Sequence, residues 1–471
     1  MLRNFISQLL PENLEFQPTA GQSELIGELG EFLASDNHSE LMLIRGYAGT
    51  GKTTLINSLV RTLDALKQKC VLLAPTGRAA KVLSAYTHQS AWTIHKKIYR
   101  QKSGKDGLGE FVLDRNLHKH TYFIVDEASM IGERSGDSFF GSGDLLRDLL
   151  DYVELGSNCR LILVGDTAQL PPVGLEVSPA LNRSRLEGFG YQVKEIELTD
   201  VVRQNQDSGI LHNATSIRNL ITEGIADYPD FDFSSFDDVT LLGGADLLEA
   251  IGASYDRFGA GETIVVTRSN KRANRFNSGI RSQILWREEQ VSPGDLLMVV
   301  KNNYFWKDPD KRVDFIANGD IVRVEKVLQS EEVHGHRFCN LRIVLPDYGD
   351  LEMDVKVLLD VIDLETPSLN YEQQRTLYNS VAEDYPTAVN RKQVSDKIAL
   401  DPYYNALQVK FAYAVTCHKA QGGQWKSVFL DQGFFTDEML SMDYLRWLYT
   451  AFTRASEQLH LVNLAKQFVP A

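Results

Sequence analysis

Apolar residues along this chain follow two different periods. Short unbroken runs at 41–44, 122–125, 160–164, 263–266, 411–415, 427–430 and 458–462 have the texture of strands buried on both faces, and several stop at a cluster of small, charged or hydroxyl residues. After Thr53 the apolar positions Leu55, Ile56, Leu59, Val60, Leu63 and Leu66 return at helical spacing instead. The alternation predicts an α/β fold. From 294 to 361 the texture changes to short alternating runs (296–300, 321–327, 342–345, 352–357) broken by turns such as Asn318-Gly319, which predicts a small antiparallel barrel. The stretch 368–405 is polar and reads as helical or irregular.

The first cluster, Gly46-Tyr-Ala-Gly-Thr-Gly51-Lys52-Thr53, joins a buried strand to that helix. Glycines at 46, 49 and 51 let the backbone turn tightly and aim N–H groups at phosphate oxygens, while the helix N-terminus adds partial positive charge. The loop implies a bound nucleoside triphosphate, cradled by Gly46, Ala48, Gly49, Thr50, Gly51, Lys52, Thr53 and Thr54. Lys52 would reach the β and γ phosphates, and Thr53 would hold Mg2+.

The run 122–125 delivers Asp126 and Glu127 to the carboxyl end of its strand, where ligands of open α/β sheets bind. Beside a phosphate loop, Asp126 suits the magnesium shell, and Glu127 suits orienting and deprotonating the attacking water. The run 160–164 ends in Gly165-Asp-Thr-Ala-Gln169-Leu-Pro-Pro172, which alone would read as a turn. Third in order after loop and carboxylates, it makes Gln169 a candidate to hydrogen-bond a γ phosphate and report its loss.

At 471 residues the chain exceeds one ordinary core, so two to four domains are expected. Its net charge of -14 argues against a protein that coats nucleic acid over its whole surface, yet it allows a local basic track. Residues 96–120 supply one, with seven Lys or Arg against three acids. Cys70, Cys159, Cys339 and Cys417 lie far apart without paired metal-ligand spacing, which suits free thiols in a reducing cytoplasm and argues against a zinc site. No apolar run approaches a membrane span, and residues 1–15 lack the features of a secretion signal, so a cytoplasmic protein with no membrane partner is expected.

Nine motifs in order extend this reading. They are Pro18-Thr-Ala-Gly-Gln22, the loop at 46–53, Ala74-Pro-Thr-Gly-Arg78-Ala-Ala80, Thr93-Ile-His95, Asp126-Glu-Ala-Ser129 and Gly165-Asp-Thr-Ala-Gln169. Leu198-Thr-Asp-Val-Val-Arg203-Gln204, Val415-Thr-Cys-His418-Lys-Ala-Gln421-Gly422 and Tyr449-Thr-Ala-Phe-Thr-Arg454-Ala455 complete the set. With them the chain resembles superfamily 1 helicases of the 1B branch, the group of the RecD subunit and the phage T4 Dda helicase. The resemblance implies two RecA-like P-loop lobes, with a small β-hairpin insert in the first and a small β-barrel of the Src-homology-3 kind inserted in the second. It implies ATP, an adenine edge recognised by Gln22, and arginine fingers at Arg203 and Arg454. Fingers of this kind contribute roughly 10³ to 10⁵ in rate.

The same resemblance lines a single-strand groove with Pro75, Thr76, Arg78, Thr93, His95, Thr416 and His418, contacts that position a strand without reading its sequence. His95 is either a contact or an interior support of that groove. The basic segment contains Asp106-Gly107, a tight hairpin signal flanked by Tyr99 and Phe111. It falls where the family places a pin that splits duplex DNA. Phe111 would stack on the last base pair or else pack the hairpin, and the sequence does not choose.

The expected organisation is a first lobe at 1–200 with the pin at 96–120, a second lobe at 201–290 and 406–471, a barrel at 291–365 and a polar insert at 366–405. Residues 135–143 read as a mobile loop with no catalytic role. The short ends beyond Gln22 and Arg454 leave no room for an appended domain in this reading. The function implied is an ATP-dependent DNA helicase. It would move 5′ to 3′ on single-stranded DNA and act at junctions with duplex, as a monomer, alongside repair, recombination or replication proteins. An RNA helicase of the same superfamily and a non-motor P-loop enzyme such as a nucleoside kinase remain as alternatives.

Overall fold

The computed structural model describes residues 2–14, 16–102, 110–133, 141–202, 208–308, 313, 315–386 and 391–469. Its first lobe is built on β1 (Glu40–Gly46), β2 (Lys69–Ala74) and β3 (Ala91–Thr93), then a side hairpin of β4 (Tyr99–Lys102) and β5 (Glu110–Leu113). It continues with β6 (Thr121–Val125), β7 (Arg160–Gly165) and β8 (Gln192–Leu198). Six of these form a parallel sheet in the order β3-β2-β6-β7-β1-β8.

Alternate residues of each central strand feed separate cores. Leu41, Leu43, Phe123, Val125, Leu161 and Leu163 pack with the helix Leu145–Glu154. Met42, Ile44, Ile124, Ile162 and Val164 pack with the helices Ala20–Ala34 and Lys52–Ala65. A strand covered on both faces must be apolar at every position, so these runs show no alternation. The helix after the phosphate loop buries Leu55, Ile56, Leu59, Val60 and Leu63, the stripe of the sequence.

The second lobe starts with β9 (Val239–Leu242) and β10 (Thr263–Thr267) and is then interrupted by a closed barrel. The barrel strands are β11 (Leu296–Val299), β12 (Ile321–Val333), β13 (His336–Leu345), β14 (Leu351–Leu358) and β15 (Leu407–Phe411). The lobe resumes with β16 (Ala414–Thr416), β17 (Trp425–Asp431) and β18 (Ala455–Val462), giving a parallel sheet ordered β16-β10-β17-β18-β9.

Three features depart from the sequence reading. The run 411–415 is two strands, because the chain leaves the barrel at Phe411 and enters the sheet at Ala414. At that corner the Tyr413 hydroxyl accepts from Arg287 Nη1 at 2.7 Å and donates to buried Asp295 at 2.9 Å, which pins the turn between two equally apolar strands. The barrel is also closed by β15, antiparallel to β11 and parallel to β14, so its fifth strand lies beyond 291–365. The polar stretch between them holds the helices Tyr371–Ala382 and Arg391–Ile398, whose Leu377, Val381 and Ile398 pack with Phe338 and Leu358 of the barrel. Finally, β9 forms an edge strand whose half-exposed pattern carried no strand signal. No described helix is long and apolar enough to cross a membrane.

The barrel, although inserted in the second lobe, also holds the first. Asp320 is fully buried and accepts from Lys81 Nζ at 2.9 Å, from the Ala317 amide at 3.0 Å and from the Tyr348 hydroxyl at 3.1 Å. Lys81 lies 3.7 Å above the Tyr348 ring, and a side chain at Gly77 would overlap the Cβ of Ala317. Removing one partner of a buried pair strands the other, so Asp320→Ala should cost about 3 kcal/mol in urea unfolding. Asp347, the second partner of Lys81, is 43% exposed. Asp347→Ala should therefore cost less than about 1 kcal/mol, and equal losses would show that the clasp at Asp320 is not the one that matters.

Candidate active site

The strands β6, β7 and β1 are neighbours, so the clusters that follow them meet at one carboxyl edge of the sheet. In the phosphate loop Gly49 and Gly51 take φ of 77° and 82°, a left-handed backbone that disfavours other residues. The Tyr47 carbonyl accepts from Thr50 Oγ1 and from Lys52 Nζ, both at 2.8 Å, and Lys52 also stands 4.0 Å from Asp166. Gly46 ends β1 against the Thr50 and Lys52 side chains, while Thr53 and Thr54 lie half-buried in the first helical turn. The segment at Val201 and Val202 crosses the loop, with the Val202 amide donating to Gly49 O at 3.0 Å.

Gln22 is fully buried under this loop. Its Oε1 accepts from the Thr19 amide at 3.0 Å and its Nε2 donates to Thr50 O at 2.9 Å. The amide expected to face adenine is thus spent here on capping its own helix and bracing the phosphate loop. Arg203 lies outside the described residues.

Beyond β6, Asp126 Oδ1 accepts from the Glu127 amide at 2.9 Å, and Glu127 adopts a φ of 54° that turns the chain sharply. Burial first, then the adjacent Glu127, push the Asp126 carboxyl up to about 7. Such a carboxyl is stabilised by a nearby cation, and together with the Thr53 hydroxyl it offers hard oxygen donors. Two donors suit a Mg2+ that keeps its waters and takes phosphate oxygens, and among the described residues no group of three His, Cys, Asp or Glu forms a fuller cage. Two further buried atoms, Ser129 Oγ after β6 and Gln169 Oε1 after β7, have no hydrogen-bond partner among the described residues. An unpaired buried polar atom costs about 1 to 3 kcal/mol, so such pairs are retained where function uses them.

The second lobe reaches this edge through residues to which sequence reasoning gave no role. Tyr449 OH accepts from the Ala48 amide at 2.8 Å and donates to Asp166 Oδ2 at 2.9 Å. Thr450 Oγ1 accepts from the Leu170 amide at 2.8 Å, and Gln421 Nε2 donates to Leu170 O at 2.7 Å. Arg454, expected on the triphosphate, is engaged elsewhere. Its Nε, Nη1 and Nη2 donate to Thr450 O, Gly423 O and Thr453 Oγ1, all within its own lobe. The sequence signal for Tyr449 was slight: it opens the last motif, but nothing in its helix, which also carries Tyr444, sets its hydroxyl apart.

The residues expected to hold a strand sit at the outer edges of both sheets. Pro75 and Thr76 follow β2, Thr93 ends β3 and Thr416 ends β16. Thr76 and Thr93 cap the helices Gly77–Thr87 and Ile94–Ile98, which turns those helix N-termini toward the edge. Thr93 is buried, Thr76 is half-buried and His418 is exposed. A side chain at Gly422 would approach Thr76 Oγ1 to 3.1 Å, so the two edges adjoin. Arg78 spans them, its guanidinium 4.0 Å over the Trp425 ring and Nη2 donating to Gln424 O at 3.2 Å.

His95 and Phe111 each had two readings open. Burial lowers the His95 pKa to about 4, which leaves it neutral near pH 7, and its ring packs 5.7 Å from that of Tyr99. The half-buried ring thus packs on the base of the hairpin. Phe111, paired with Gln101 across the hairpin, packs 5.3 Å from the Tyr304 ring of the barrel insert, and Tyr99 donates to buried Asp148 at 2.6 Å. Both aromatics brace the hairpin base. Its turn, Asp106-Gly107, and residues 134–140 lie outside the described residues.

Comparison with known proteins agrees with this layout. A family model described as an AAA domain matches residues 19–232, and one described as the UvrD-like helicase C-terminal domain matches 411–462. Protein R530 of Acanthamoeba polyphaga mimivirus is 22% identical over 92% of this chain and 97% of its own. The ATP-dependent DNA helicase dda of Enterobacteria phage T4 is 27% identical over 65% of this chain and 67% of its own. The ATP-dependent RecD2 DNA helicase of Deinococcus radiodurans is 32% identical over 37% of this chain, a match that spans only 21% of that protein. A solved structure of two coordinating Pif1 helicases at forked DNA shares the fold, with a TM-score of 0.51 at 15% identity, covering 97% of this chain and 95% of that one. With an ATPase model on the first lobe, a helicase model on the second and nine motifs in order, the chain belongs to the superfamily 1 helicases, in the 1B branch.

Proposed function

We propose that this chain is an ATP-driven motor that moves along single-stranded DNA and separates duplex at the junction ahead of it. One observation carries the reading. The loop that would cradle phosphate is hydrogen-bonded to the second lobe through Ala48, so a change in what that loop holds acts on both lobes. The names of the Dda and RecD2 relatives as ATP-dependent DNA helicases support DNA as the track.

In this reading Lys52 leaves the Tyr47 carbonyl for the β and γ oxygens, and Glu127 takes the proton of the attacking water. Gln169, with its unpaired Oε1, orients that water. Thr53 and Asp126 would hold Mg2+, which when bound draws charge from the β and γ oxygens. Arg203 and Arg454 would add finger charge, and for Arg454 this requires its side chain to leave Thr450 O and Gly423 O by a change of rotamer, since those acceptors move with its own lobe. Thr76, Thr416 and His418 would take strand phosphates, and alternating grip by the two edges would give steps. Movement from 5′ to 3′ rests on the family resemblance, action as a monomer on both arginines lying in one chain, and a cytoplasmic place beside repair, recombination or replication proteins completes the reading.

Lys52→Ala should lower ATP turnover about 10²-fold or more while single-strand binding stays measurable by anisotropy. Retained DNA-stimulated turnover would remove Lys52 from the chemistry. Duplexes with a 5′ or a 3′ single-stranded tail, in DNA and in RNA, test track and direction together. Unwinding should appear with the 5′ DNA tail, and a preference for RNA or for the 3′ tail would redirect the reading. Phe111→Ala and Tyr304→Ala should each lower unwinding several-fold at nearly constant single-strand-stimulated hydrolysis, because each removes the same brace. Full unwinding by both variants would end the pin assignment.

A further inference from the structure

The phosphate loop and the second lobe share one hydroxyl. Tyr449 belongs to the helix Met442–Phe452 and is 1% exposed. Its oxygen accepts from the Ala48 amide at 2.8 Å and gives its proton to Asp166 Oδ2 at 2.9 Å, while Asp166 Oδ1 accepts from the Ala168 amide at 2.9 Å. A phenol has one proton to give, so the group is committed in both directions, to the loop on one side and to the segment carrying Gln169 on the other. One residue along the same helix, Thr450 accepts from the Leu170 amide at 2.8 Å, and Gln421 donates to Leu170 O at 2.7 Å. Residues 166–170, with Gln169 among them, are therefore held at both ends by the second lobe. Arg454 supplies no such link, since its donors are spent inside that lobe.

We propose that Tyr449 is a positioning residue that couples the nucleotide loop to the second lobe and its share of the strand contacts, Thr416 and His418. The inference rests on the motor reading above. The Ala48 amide has one hydrogen, which serves either the Tyr449 oxygen or a phosphate oxygen. When phosphate takes it, Tyr449 keeps only Asp166, and the helix that carries it is released from the loop but not from residues 166–170. A strand that repositions the second lobe acts in reverse, moving Tyr449 and Thr450 and with them Gln169. Two sites are thereby linked through one hydrogen-bond exchange, and linkage makes the effect reciprocal.

Tyr449→Phe tests this, because it keeps the buried ring and removes only the hydroxyl. ATP turnover would be measured with and without saturating oligonucleotide, with binding of a fluorescent ADP analogue and of the oligonucleotide followed separately. The expected result is a fall of about tenfold in the ratio of stimulated to unstimulated kcat. Nucleotide should bind as tightly as before or more tightly, since a competitor for the Ala48 amide is gone, and oligonucleotide affinity should stay within about twofold. A merely structural hydroxyl would lower both turnover numbers together and leave their ratio intact, which would overturn the proposal. Should Tyr449→Phe not fold, Thr450→Val removes the neighbouring tie. A folded Thr450→Val with full stimulation would overturn it equally. If the unmodified protein binds no nucleotide or ignores oligonucleotide, the motor reading itself falls, a result distinct from either variant's failure.

Discussion

A parallel strand covered on both faces can present chemistry only where it ends. Two sheets of this kind are joined here, and their loop-bearing edges meet along the segment 166–170 and around Gly422. Magnitudes explain why such a joint can move. The hydrogen bonds that Tyr449, Thr450 and Gln421 make to the first lobe contribute about 1 kcal/mol each, so together they are worth about 4 kcal/mol. A ligand bound at micromolar affinity brings about 8 kcal/mol. The joint rearranges if about 4 kcal/mol of that is gained in one arrangement only, which is far less than is needed to disturb cores whose single leucines are worth about 2 to 5 kcal/mol each.

Buried polar groups sort themselves by what satisfies them. Asp295 is ringed by Arg281, Arg287, Tyr413 and the Ser292 amide, and Asp320 by Lys81, Tyr348 and the Ala317 amide. These acids are fully partnered and hold corners of the barrel insert. At the nucleotide edge the balance differs, for burial raises the Asp126 and Asp166 carboxyls and leaves Gln169 Oε1 and Ser129 Oγ unpaired. Asp166 is partnered as well, but beyond the Ala168 amide its partners come from the phosphate loop and the second lobe, so its hydrogen bonds span the joint instead of closing one corner.

What was legible in the sequence was local. The phosphate loop, the helix stripe after it and the carboxylates after β6 each depend on residues within one strand-turn-helix unit, where spacing and physical requirement coincide. What was illegible depends on distant partners. Nothing within residues 411–415 marks the corner between barrel and sheet, because its pins, Asp295 and Arg287, lie more than a hundred residues earlier. Phe111 could not be assigned between stacking and packing until Tyr304 was placed beside it. Arg454 is the reverse case, since motif order named a role while its neighbours Gly423, Thr450 and Thr453 decide where the guanidinium points in this arrangement.

The barrel constrains how the lobes can turn relative to each other. On its second-lobe side only Ala412 and Tyr413 separate β15 from β16, and both are buried. The Tyr413 hydroxyl is further bonded to Asp295 and Arg287, so this joint is short, dry and doubly tied. On the first-lobe side the tie is a set of side-chain contacts: Lys81 to Asp320, Gly77 against Ala317, and Phe111 on Tyr304. Such contacts can slide by rotamer changes, whereas a two-residue covalent corner with fixed dihedrals cannot. A rotation between the lobes would therefore be taken up at the contacts of the helix Gly77–Thr87 and of the hairpin. Thr76 caps that helix at its N-terminus, and the hairpin follows Thr93 and His95 in the chain. The compliant face of the barrel is thus the one beside the expected strand contacts.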